Sequence, residues 1–180
     1  MHHPNTQRFT ADWRMRRGGR PLPHRRDLDP ALFGALAPQL FMLGVEGGGA
    51  DVFRLAGGLL IDLHGRELAG SAFQRLWARR EREVVGEAVA RSLRIAAPLV
   101  LSAEGATAEG NAVGLEITLA PVLGPSGDAD RIFGLYQPTS PLARLHGRAL
   151  AGLTLQAVEA AAEPRPPHLR LVVSDGRRVA

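Results

Sequence analysis

The sequence predicts an α+β fold: a five-stranded antiparallel sheet with helices packed on one face, plus an N-terminal helix and a C-terminal extension. Three observations predict it. Two short apolar strand segments come first, joined by glycines. A stretch with helical spacing follows, and three more strand segments bounded by glycine-rich turns close the pattern. With 180 residues, 45% of them hydrophobic, the chain can bury one substantial core.

Residues 8 to 26 carry seven arginines around a short helix predicted over Thr10 to Arg17 and stopped by Gly18-Gly19. Asp29-Pro30 signals the next helix start, since the carboxylate can accept an orphan amide proton while proline at the first position gives up no hydrogen bond. Pro38 ends it.

Leu40 to Val45 and Val52 to Ala56 read as strands joined by a hairpin loop at residues 47–51, with Phe53 and Leu55 facing the core and Arg54 outward. Leu59 to Leu63 makes a single helical turn before Gly65. Ser71-Ala72-Phe73-Gln74 has the form of a capping box, so a helix is expected from there. Phe73, Leu76, Trp77, Val84 and Ala88 lie on its apolar side, and a break falls near Ala78.

Strand character returns at Leu99 to Ala103, Val113 to Val122 and Ile132 to Gln137. In the middle one Val113, Leu115, Ile117 and Leu119 alternate with Gly114, Glu116, Thr118 and Ala120, the pattern of a strand with one buried face. Residues 141–162 read as an extension with some helix, residues 163–167 as a linker, and residues 169–178 as a basic tail. The expected boundaries are 1–28 for a basic arm, 29–145 for the domain and 146–180 for a partly helical or disordered extension.

All 22 basic residues are arginine, yet the net charge is only +4. Without cysteine there are no disulfides, thiolate metal sites, cysteine nucleophiles or cysteinyl-flavin adducts. No signal peptide or membrane span is indicated, and a cytoplasmic protein is expected. No His-Glu-x-x-His, Gly-x-Ser-x-Gly or Walker-type loop occurs, so the expectation is a protein without catalytic residues.

Several sequence words match one family together. They are the run from Arg20 through His24, Arg25, Arg26 and Asp27 to Asp29-Pro30, then Phe53-Arg54-Leu55-Ala56-Gly57, then Gly65-Arg66-Glu67-Leu68-Ala69-Gly70 with Phe73 and Trp77. Leu119-Ala120-Pro121-Val122 and Ile132-Phe133-Gly134 complete the set. On these residues the chain, over about 12–145, resembles the small bacterial single-domain PAS proteins with an arginine-rich N-terminal segment. The resemblance implies a PAS-like fold whose five strands cup a space against the helices. It also implies a sensory or protein-interaction role in signal transduction, exerted through a protein partner or a homodimer.

The expected wall of that space is Phe53, Leu55, Leu63, His64, Phe73, Trp77, Leu101, Ile117 and Phe133, a core prediction first and a pocket for a small apolar ligand second. No cofactor is expected. His64 alone would offer an axial ligand for haem, though a lone histidine is far more often a hydrogen-bonded structural residue. The anion or interaction candidates are Arg16, Arg17, Arg20, Arg25, Arg26 and Arg66. For Arg66 an internal role, pairing with Glu67 or capping carbonyls, outweighs ligand binding. For the arm, packing or dimer contact outweighs nucleic acid, because no recognition helix is evident. The competing classes are a nucleic-acid-binding regulator using that arm and a small-molecule sensor.

Overall fold

The computed structural model describes residues 1–45 and 51–161. The predicted glycine hairpin loop, the linker and the basic tail lie outside the described residues. The strands are β1 (Leu40–Val45), β2 (Asp51–Ala56), β3 (Leu99–Thr107), β4 (Ala112–Val122), β5 (Arg131–Pro138) and β6 (Leu150–Ala160). They form one antiparallel sheet in the order β2-β1-β5-β4-β3-β6.

The sixth strand corrects the sequence reading, which gave five strands; of the range 141–162, where some helix was expected, Leu142–Leu145 is a 3-10 turn and Leu150–Ala160 is strand. Alanine, leucine, glutamine and glutamate in β6 favour a helix locally. Pairing with β3 from Leu99↔Ala160 to Thr107↔Leu150 overrides that preference.

Helices lie on both faces of the sheet, not one. The inner face carries α2 (Gly58–His64) and α3 (Arg82–Ile95), with 3-10 turns at Phe73–Leu76 and Arg79–Glu81 between them. The predicted turn at 59–63 is thus a seven-residue helix, closed by Gly65 in the left-handed region at φ 60°. Ser71 does not cap a helix. Its hydroxyl donates to the Leu68 carbonyl, and the Gln74 amide donates to Asp51. The break falls at Trp77 and Ala78 as expected, so α3 starts at Arg82 and its phase differs. Val85 is buried and Val84 exposed.

On the outer face lies α1 (Pro4–Arg17), longer than predicted because Pro4 opens it and the His3 ring accepts a hydrogen bond from the Asn5 amide. Thr6, Phe9, Thr10 and Trp13 are its buried side. The rings of Phe9, Phe33 and Phe133 meet at tilted angles with centroids 5.4–5.6 Å apart, and the Trp13 indole donates to the Pro121 carbonyl at 2.9 Å. Glu116 accepts from the His3 amide, and Asn5 donates to Gln137 at 2.9 Å. Consequently β4 is covered on both faces, against the expected single buried face. The outer core joins these residues to Leu22, Leu28 and Leu36, and to Leu40, Met42, Ala120, Val122 and Leu135 of the sheet.

Candidate functional site

The inner compartment gathers most of the predicted wall. Phe53, Leu63, Phe73, Trp77, Leu101 and Ile117 belong to one buried cluster with Phe41 and Tyr136. The rings of Phe41, Phe53 and Phe73 lie 5.7–5.8 Å apart, with Trp77 5.9 Å from Phe73. These aromatic rings pack against one another in the inner compartment.

His64 is buried at the edge of this cluster, with Nε2 3.1 Å from the Tyr136 hydroxyl. Burial, and then the Arg66 charge, lower its pKa to about 4, so the ring is neutral at pH 7. Burial also raises the pKa of the Tyr136 phenol. Because Nε2 is taken by Tyr136, this geometry does not fit an axial haem ligand. Without cysteine the chain has no residue for a cysteinyl-flavin adduct.

Two predicted wall residues are misplaced in the sequence reading. Phe133 points to the outer face against Phe9, because Ile132 and Tyr136 take the inner positions of β5. Leu55 is 38% exposed. It pairs with Met42 while Phe53 pairs with Leu43, so Arg54 is an extra residue in β2. That bulge puts Arg54 and Leu55 consecutively on the outer face.

The bulge forms one wall of a cleft of about 460 Å³. Arg54 and Arg131 converge across Gly44, where an added Cβ would lie 2.7 Å from Arg54 Nε and 3.2 Å from Arg131 Nη1. Arg25 and Arg26 form the rim of the cleft, over Met42, Leu28 and Phe133, which are buried, and Leu55, which is exposed. The rim is held in place by the backbone. Arg25 N donates to Leu123 O at 3.0 Å, and Leu123 N donates to Pro23 O at 2.9 Å. The Asp27 carboxylate accepts from the His24 amide, and Arg25 Nε lies 3.3 Å from Met42 Sδ. Arg131 is steadied by Asp130 at 2.7 Å. A second cleft of about 380 Å³ shares Arg25 and Arg26 and continues over the turn at residues 124–127.

Of the other arginine candidates, Arg16, Arg17 and Arg20 are engaged within the fold. Arg16 bonds Asp12 at 3.0 Å and the Asp27 carbonyl, and lies over the Phe33 ring. Arg17 lies over Trp13. Arg20 bridges to Asp27 at 2.7 Å, and that hydrogen bond lowers the Asp27 pKa. Arg66 is exposed, and among the described residues no ion pair joins it to Glu67, so the expected internal pairing is absent there. The reading of sequence missed Arg54 and Arg131. A basic residue just before Ile132 is a weak signal for the second, whereas nothing in the sequence marks the bulge.

Among the described residues, no helix is long and apolar enough to cross a membrane, and no group of three or more metal-ligating side chains occurs. The family described as "PAS domain" matches residues 1–137. The chain is also similar to the Rhodobacter sphaeroides LOV protein, at 15% identity over 64% of this chain and 67% of that one, with a TM-score of 0.49. It is similar to the PAS domain of the fruit-fly ELK potassium channel, at 13% identity over 62% and 94% of the two chains, with a TM-score of 0.47. A PAS domain from Colwellia psychrerythraea matches at 13% identity over 61% and 97%, with a TM-score of 0.44. No curated protein matches the sequence.

Proposed function

The chain belongs to the PAS domain family, a family of sensory domains, and from that membership we propose that it is a non-catalytic signalling module acting through a protein partner or through dimerisation. One observation carries this reading. The compartment between sheet and inner helices is filled by Phe41, Phe53, Phe73, Trp77 and Tyr136, so the input is a contact made at the surface and not a molecule enclosed in the core. Binding that favours one packing of the outer elements over another shifts a two-state equilibrium, and it does so only by its difference in affinity for the two states.

The absence of catalysis belongs to the same proposal. On the inner face the His64 ring and the Tyr136 hydroxyl hydrogen-bond each other and the buried Asp51 carboxyl accepts from the Gln74 amide, so each of these groups is engaged inside the fold. Native mass spectrometry of protein purified from its own host tests the reading. The mass of the bare chain, or of its dimer or partner complex, is expected. A retained haem, flavin or other enclosed molecule overturns it.

A further inference from the structure

We propose that the groove between α1 and the 3-10 segment Pro30–Gln39 is the docking site of this chain's own residues Leu169, Arg170, Leu171, Val172 and Val173, which lie outside the described residues. The inference goes beyond the signalling reading, and its failure would leave that reading untouched.

The groove encloses about 290 Å³. Its walls include apolar side chains that the fold leaves open to solvent, Ala11 and Met15 on α1 and Leu32 on the 3-10 segment. Met15 is 70% exposed and Leu32 59%. The Phe9 and Phe33 rings lie beneath them. Single exposed apolar residues are ordinary, but two large ones lining one groove make a surface that gains by being covered.

The place where the chain leaves the sheet decides the occupant. Just past β6 the Ala161 amide donates to the Pro98 carbonyl at 3.1 Å, and the Ala161 carbonyl accepts from Arg14 Nη2 at 3.0 Å. Residue 162 therefore starts beside α1. Arg14 lies about 100° or more around that helix from Arg8, Asp12 and Met15, which line the groove.

A helix is about 10–12 Å across, so half its circumference is roughly 16–19 Å. The seven residues 162–168 reach at most about 23–25 Å. They suffice to cross α1 and bring Leu169 to the groove. In an extended segment Leu169, Leu171 and Val173 share one side, with Arg170 on the other, over a length of about 13 Å. Arg8 to Met15 spans about 10 Å of α1, so the two lengths match. A short tether also presents the segment at an effective concentration on the order of mM, which favours it over a second copy or a free partner.

The chain has no cysteine, so cysteine pairs introduced into the full chain report proximity directly. Leu32→Cys with Leu171→Cys is the test pair, and Ile95→Cys with Leu171→Cys is the control. Ile95 is 46% exposed and lies three residues before Pro98, to which Ala161 is bonded, so tethering alone favours the control. The test disulfide is expected to form about tenfold faster than the control one, within a single chain by non-reducing mass spectrometry. Adding Leu169→Asp and Val173→Asp should bring the test pair down to the control rate.

A test rate no faster than the control, a disulfide that joins two chains, or indifference to the two aspartates each overturns the proposal.

Discussion

His64 Nε2 and the Tyr136 hydroxyl are 3.1 Å apart inside the protein, their rings meeting edge to face, and each is the other's polar partner between α2 and β5. Replacing Tyr136 by Phe removes the hydroxyl and leaves the imidazole nitrogen buried without a partner. A loss of about 1–3 kcal/mol is expected, measured by urea unfolding at pH 7. A stability equal to wild type would show that the pair contributes nothing.

The same histidine sets a pH dependence that a second group opposes. His64 has a folded pKa of about 4 against 6.5. Between those values the unfolded chain binds a proton that the folded chain refuses. Its contribution is therefore complete above about 6.5 and lost as the pH falls toward 4, by about 3 kcal/mol. Asp51, raised by burial to about 6 from 3.8, does the reverse. Here the folded chain keeps a proton that the unfolded chain releases, so stability falls as the pH rises from about 4 to 6. The wild type should be nearly flat over that interval. His64→Leu should lose stability from pH 4 to 6, and Asp51→Asn should gain it. Parallel unfolding curves for all three proteins would contradict both assignments.

The two tryptophans should respond differently to the same change. Trp13 donates its indole hydrogen to the Pro121 carbonyl, while the Trp77 indole nitrogen is buried with no acceptor among the described residues. Substitution by Phe removes a made hydrogen bond at position 13 and an unsatisfied donor at position 77. Trp13→Phe is expected to be the more destabilising by about 1–2 kcal/mol, read by thermal or chemical unfolding. The opposite ranking would refute the account.

Gly134 in β5 lies directly under the Phe41 ring of β1, its register partner, and an added methyl would collide with that ring. Displacing Phe41 disturbs its contacts with Phe53 and Phe73, so Gly134→Ala should cost about 1–3 kcal/mol. The double variant Gly134→Ala with Phe41→Leu should recover part of that loss. Additive losses would place the damage elsewhere.

The order of strands and helices was legible because alternation, helical spacing and glycine turns are local signals. Most of the inner wall was legible for the same reason, with Phe53, Leu101 and Ile117 on the strands that alternation marked and Phe73 and Trp77 on the apolar side that helical spacing marked. What sequence could not supply depended on partners far along the chain. β6 is a strand because β3 offers it an edge. Phe133 faces outward because Phe9 and Phe33 wait there. Leu55 was misassigned for a different reason. One unpaired residue shifts the parity of everything beyond it, and parity was the only tool available.

That single residue also makes the outer cleft separable from the fold. Removing Arg54 would leave Phe53 opposite Leu43 and bring the following leucine opposite Met42 in unbroken alternation, with the inner aromatics undisturbed. The register of the inner aromatics is thus independent of the residue that gives the cleft its wall at Arg54.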